Sequence, residues 1–286
     1  MKTIKYFIQF IFIMTLLFIF KALGYKFASF LGSLIGKFFG PMFRSNKNIL
    51  KNLDESLNSK SEKENKLIIS NMWSNYGRIL SEYIFLKNFN NGDMDKYIEI
   101  NGKKTLEEIC ISKKPVIFIS GHFNNFELMA MQIRKSNIKL AAIYRPLNNF
   151  FLNKIIEGIR KKYICKNQIK KGLAGTRELL KFFKDGHSIA LMIDQRVTEG
   201  SRVNFFGRPA FTTTIPAQLI KKYGCLVVPI YIERHNSIYF KMAVDKPIRF
   251  EKDLSVDEIT INLNQWLEEK ISKNPDQWIW SHNRWK

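Results

Sequence analysis

Cysteine is scarce: three residues in 286, at Cys110, Cys165 and Cys225, with no CxxC pair and no Cys/His cluster. That spacing argues against structural zinc and against a disulfide scaffold, and it suits a reducing compartment with buried thiols. No metal or cofactor is expected. Acidic residues are the second shortage. Lys and Arg number 46 against 25 Asp and Glu, a net charge of +21, and no acid precedes Asp54. Such a chain attracts polyanions: nucleic acid, anionic lipid headgroups, phosphorylated substrates or an acidic carrier protein. The aromatics do not interleave with the basic residues as a base-stacking platform would need, and no nucleic-acid motif is present, so nucleic acid is the weakest of these partners. Internal repeats and low-complexity linkers are also lacking. What is abundant is apolar: hydrophobic residues make up 45% and aromatics 14%, enough to bury a sizeable core.

The apolar residues concentrate first at the N-terminus. Tyr6–Phe20 (YFIQFIFIMTLLFIF) is uncharged, and adding ALGY beyond Lys21 reaches the length of a bilayer span if Lys21 snorkels. A second run, Phe27–Phe43, carries spaced glycines and serines. No small-residue cleavage site follows the first run closely, so a retained anchor is expected, spanning or lying in the interface. Later Lys and Arg outnumber Lys2 and Lys5, which would place the bulk of the chain in the cytoplasm. The expected division is a membrane-anchoring and interfacial segment over 1–43 and a catalytic-type domain over 44–286.

Arg44–Phe89 reads as two helices. Ile49, Leu50 and Leu53 keep helical spacing in the first, and Ile68, Ile69, Met72, Tyr76, Ile79, Leu80 and Tyr83 in the second, with a turn at Asn58–Lys63. The pattern then changes to alternation. Strands are predicted at Tyr97–Ile100, Val116–Ser120, Lys139–Tyr144, Ser188–Ile193, Leu226–Glu233 and Ile238–Val244. Helices are predicted near Lys104–Ile111, Asn125–Lys135, Asn149–Lys162, Leu173–Lys184, Ile215–Tyr223 and Ser255–Ser272, the fifth starting with a Thr cap and Pro216. This is an α/β fold: a mixed sheet flanked by helices, with an apolar membrane-anchoring N-terminal helix.

The stretch VIFISGHFNNFELMA carries the most chemistry. Asn124 and Glu127 have the spacing of a capping box, which would give Glu127 a helix-stabilising role of about 0.5–2 kcal/mol and leave His122 an incidental turn residue. Alternatively, His122 stands on the loop after a strand, where α/β proteins bind ligands, and Glu127 accepts a hydrogen bond from its ring. Glu127 would then fix the tautomer and stabilise the imidazolium, which general-base activation of a hydroxyl requires. No serine or cysteine adjoins, so the base would act directly on a substrate hydroxyl. Further blocks follow. YRPLNN puts Arg145 at a strand end, suited to a phosphate or oxyanion, or simply solvated in a proline turn. Arg160 comes late in the next predicted helix. Asp194 and Gln195 end another strand, as a cap or a site wall. Asn204–Thr214 (NFFGRPAFTTT) reads as a loop in which Phe206, Gly207 and Arg208 line a pocket or pack on the surface. His187, His235 and His282 are expected to be structural or solvated.

GHFNNFE, YRPLNN, DQR, FFGRPAFTTT, LVVPIY and PDQWIWSHNRWK, with NKNILKNL near the start, come in an order that resembles the late acyltransferases of lipid A biosynthesis, the lauroyl and myristoyl transferases of Gram-negative bacteria. The likeness spans nearly the whole chain. Many members have Gly-Asn followed by Trp where this chain has NNFE, and Phe126 keeps an aromatic there. The resemblance implies a glycerophosphate-acyltransferase-like fold at the inner membrane, with the catalytic domain facing the cytoplasm. It implies transfer of a fatty acyl chain from acyl carrier protein to a hydroxyl of a lipid A precursor, without metal, cofactor or covalent enzyme intermediate. His122 matches the general base, Glu127 its partner, and Arg145, Arg160 and Asp194 supporting positions. The oxyanion would be held by Arg145, Arg160 or backbone N–H groups after Gly121. Another lipid acceptor (phospholipid, ornithine lipid or glycolipid) and, more remotely, a non-catalytic basic membrane-binding protein are the rival readings.

Overall fold

Lys2–Phe43 of the computed structural model form one apolar helical run, α1, interrupted at Gly24, whose φ of 75° breaks the helical path. The structure describes residues 2–44, 46–57 and 61–286. Among them α1 is the one helix long and apolar enough to cross a membrane. Beyond the break, α1 packs along α3 (Glu62–Glu82), after the short α2 (Asn46–Leu57). Small residues bring the two backbones together: a Cβ on Gly77 would run into the Gly32 carbonyl, and one on Gly36 into the Trp73 carbonyl. Ser33 and Ser74 hydrogen-bond across this contact at 2.7 Å. A Ser61–Glu64 capping box starts α3. Of the predicted turn at Asn58–Lys63, residues 58–60 lie outside the described residues.

After α4 (Leu86–Asn91) comes the alternating part: β1 (Ile98–Asn101), α5 (Lys103–Ser112), β2 (Ile117–Ser120), α6 (Glu127–Lys135), β3 (Leu140–Tyr144), α7 (Phe150–Ile159), β4 (Asn167–Lys170), α8 (Leu173–Lys184) and β5 (Ser188–Met192). A β6–β7 hairpin (Ser201–Phe205, Arg208–Thr212), α9 (Ile215–Tyr223), β8 (Val227–His235), β9 (Tyr239–Val244) and α10 (Val256–Lys273) complete the chain before an irregular tail. Seven strands form one sheet in the order β1-β9-β8-β2-β5-β3-β4. Only the β8–β9 hairpin is antiparallel in it, so the sheet is mixed, as the alternation predicted. β2 lies at the centre and is buried along its whole length, which explains its continuous apolar run.

Four expectations about these elements differ from the structure. The NFFGRPAFTTT segment is not a loop but the β6–β7 hairpin, closed by Phe206 and Gly207 at φ 54° and 69°, the pair of positive φ values of a tight two-residue turn. β4 is an edge strand whose polar NQIK gave no apolar alternation. The Asn124–Glu127 capping box does not form. α6 begins at Glu127, and Asn124 (φ 40°) donates its side-chain N–H to the Ile232 carbonyl and to Gln277 Oε1 instead. Thr214 does stand at the start of α9, but its hydroxyl accepts from Gln218 Nε2 rather than from the helix backbone.

Candidate active site

Strand register builds the site. Ser120 on β2 lies opposite Met192 on the parallel neighbour β5. Two residues further along each strand, His122 and Asp194 therefore come abreast at the carboxyl edge of the sheet. His122 Nδ1 is 2.7 Å from Asp194 Oδ1, and the His122 backbone N–H donates to Asp194 Oδ2 at 2.7 Å. A Cβ at the intervening Gly121 would come within 2.9 Å of side-chain atoms of Leu267 and Phe123 and 3.3 Å of Asp194 Oδ2, so the glycine leaves these three side chains their room. Asp194 is fully buried, whereas His122 remains about one-fifth exposed toward the cavity. Trp278 Nε1 also donates to Asp194 Oδ2, at 2.9 Å. Burial pushes the Asp194 carboxyl up, but the His122 ring and the hydrogen bonds from His122 and Trp278 outweigh it and hold it at about 2. The carboxylate is thus ionised against Nδ1 at neutral pH. The ring packs edge-on against Phe126 with centroids 4.9 Å apart, and Nε2 is left beside the Gln195 side-chain nitrogen at 3.4 Å.

The expected His122–Glu127 hydrogen bond is not made. Glu127 Oε1 instead accepts from Arg160 Nε (2.8 Å) and Nη2 (2.5 Å), and from the Tyr83 hydroxyl. Burial alone would lower the Arg160 guanidinium; the Glu127 carboxylate beside it holds it above its ordinary range. Burial and the same carboxylate raise the Tyr83 phenol well above its own, so Tyr83 remains a donor. Arg160 keeps helical backbone angles at the end of α7, and the chain goes on as a π-turn, Arg160–Ile164, rather than as the regular helix expected to Lys162. The two acids near His122 have therefore separated their duties: Asp194 faces the ring, and Glu127 holds an arginine.

A cavity of ≈ 860 Å³ opens in front of these groups. His122, Glu127, Arg145, Arg160, Gln195 and Lys171 supply polar wall, while Ile119 and Leu191 on the strands and Met129 and Ile133 on α6 make its depth apolar. A few polar groups over an apolar hollow suit an amphipathic ligand. Arg145 lies at the end of β3 and is exposed, as a strand-end arginine should be. Phe206, Gly207 and Arg208 do not line this cavity. Phe206 caps Glu268 through its N–H, and Arg208 pairs with Glu55 while stacking on Trp285. The backbone N–H groups just after Gly121 are also unavailable for an oxyanion, since those of His122, Phe123 and Asn124 go to Asp194, the Gly121 carbonyl and the Gln277 carbonyl.

Sequence reasoning missed the contribution of the C-terminal tail. Trp278, Trp280 and Arg284 are buried, Arg284 donates to the Phe211 carbonyl and Thr212 hydroxyl, and His282 lines the cavity. Three tryptophans within the last nine residues (WIWSHNRWK) were the available signal that this tail is packed.

The bacterial lipid A biosynthesis acyltransferase model matches residues 1–286. The chain belongs to that family. Among its relatives, the lipid A biosynthesis palmitoleoyltransferase of Escherichia coli (strain K12) is 21% identical over 269 residues, covering 92% of this chain and 86% of that protein. The lipid A biosynthesis acyltransferase 2 of Shigella flexneri is 22% identical over 251 residues, covering 86% and 79%. This lipid A acyltransferase family member is therefore an enzyme of acyl transfer acting on a lipid A-like substrate. Its long apolar N-terminal helix suggests association with a membrane.

Proposed function

We propose that this acyltransferase moves a fatty acyl chain from acyl carrier protein to a hydroxyl of a lipid A precursor, with His122 as general base and Asp194 as the residue that orients it. The observation carrying this reading is the His122–Asp194 pair at the mouth of a largely apolar cavity. With Nδ1–H donated to Asp194, Nε2 is the free basic nitrogen. It takes the proton of the acceptor hydroxyl as that oxygen attacks the thioester carbonyl. Asp194 stabilises the imidazolium that forms. The C–O bond closes, the C–S bond opens, and the imidazolium returns its proton to the leaving thiolate. Arg160 is the favoured oxyanion partner: Glu127 takes its Nε and Nη2, leaving Nη1 outside that pair. Arg145 and Lys171 at the cavity wall suit phosphate on the acceptor or the donor. The net charge of +21 suits both an acidic carrier and an anionic membrane. We place the enzyme at the inner membrane with its catalytic domain in the cytoplasm, where acyl carrier protein is found.

The test combines purified enzyme, acyl-loaded carrier and a tetra-acylated precursor with mass spectrometry of lipid A from a deletion strain. The deletion should remove one acyl mass from lipid A. An unchanged lipid A mass assigns the acceptor to another lipid.

A further inference from the structure

Outside α1, large apolar side chains are exposed at few described positions, and two of them are near neighbours: Leu147 (43%) and Phe150 (52%). Leu147 sits on the loop from β3 to α7, and that loop is part of the cavity wall. α7 itself reads FFLNKIIEGI, mostly apolar, yet none of its residues is buried. Leu152, Ile155, Ile156 and Ile159 keep the spacing of one helix face. The protein covers this helix only in part: its other residues are half-buried, and Phe150, Lys154 and Gly158 are exposed along one side.

The neighbour of α7 identifies the occupant. The Phe151 ring packs on Phe7 and Phe10 with centroids 5.5 and 5.8 Å apart, and Phe150 on Tyr6 at 6.3 Å. Asn149, which caps α7, also donates to the Tyr6 carbonyl at 2.8 Å. These α1 residues lie within the uncharged Tyr6–Phe20 stretch, whose outer side chains Ile8 and Phe12 are bare (62% and 61% exposed). Residues in contact share a depth to within a side-chain length. Hydrocarbon that covers the outer face of α1 at Phe7–Phe12 therefore reaches α7 as well. Lys154 and Lys162 on the same helical stretch can snorkel to anionic headgroups, while Lys161 neutralises Glu157 at 2.8 Å. A second copy of the chain on this face would have to withdraw part of α1 from lipid.

We propose that α7 is a second membrane-immersed element beside α1. Its leading loop, Arg145–Asn148, then sets the cavity mouth at the lipid surface, and an acyl-bearing lipid enters the cavity directly from the bilayer. The inference does not depend on which lipid is the acceptor.

The experiment uses the full-length protein in vesicles of phosphatidylethanolamine and phosphatidylglycerol. Photoreactive benzoylphenylalanine replaces Phe150, Leu147 or Ile111 in turn. Ile111 is 79% exposed, at the end of α5 and thus at the opposite edge of the sheet. All three positions are at the surface, and each variant is scored at an unchanged melting temperature. After irradiation, mass spectrometry should find phospholipid adducts at 150 and 147 and none at 111. A crosslink from position 150 to a second copy, no lipid adduct at 150, or equal adducts at 150 and 111 would each overturn the proposal.

Discussion

Asp194 receives three hydrogen bonds, from the His122 ring, the His122 backbone and Trp278, so the tail of the chain helps to hold the carboxylate that faces the His122 ring. Glu127 has a different task, and its removal should look different. With side chains 6% and 14% exposed, Glu127 and Arg160 form a nearly buried pair. Glu127→Ala leaves the arginine unpaired, so it should lower unfolding free energy by about 3–5 kcal/mol as well as activity, measured by denaturant unfolding. Glu127→Gln, which keeps an acceptor, should restore part of that stability. His282 makes a pH prediction. Burial pushes its imidazole down to about 4. The unfolded chain takes up that proton near pH ~6.5, so its contribution is complete above that pH and is lost as pH falls toward 4. His282→Asn should flatten the stability loss over this window, as unfolding at two pH values inside it and one above would show.

At the scale of elements, the close approach of α1 and α3 rests on glycine. Gly77→Val should force the helices apart and destabilise the protein by about 1–3 kcal/mol, the usual cost of overpacking, read as a lower melting temperature in detergent. Much of this layer was legible. The helical spacing of Ile68, Ile69 and Met72 marked α3, and the buried run at Ile117–Ser120 marked the central strand. β4 and the β6–β7 hairpin were not, because NQIK is polar and Phe206-Gly207 lacks the usual Asn or Asp of a tight turn. The candidate residues His122, Arg145, Arg160, Asp194 and Gln195 were all picked out, and the structure gathers them at one cavity or directly behind it. Their pairing was hidden. Sequence displays spacing along the chain, which joins His122 to Glu127. The pair across β2 and β5 is set by strand register, a relation between segments about 70 residues apart.

For the molecule as a whole, the apolar anchor and the net charge of +21 act together. Attraction between exposed charges is screened over about 8–10 Å at physiological salt. Raising ionic strength should therefore raise KM for the proposed donor, acyl carrier protein, while leaving kcat nearly unchanged, as steady-state assays at several salt concentrations would reveal. The catalytic account turns on one carboxylate brought to the base by the fold. Its most direct test is single-turnover acyl transfer by Asp194→Asn, in protein whose melt shows it folded. The rate should fall by roughly 10²–10⁴-fold, the contribution of a correctly held general base. Transfer by Asp194→Asn at the wild-type rate would contradict it.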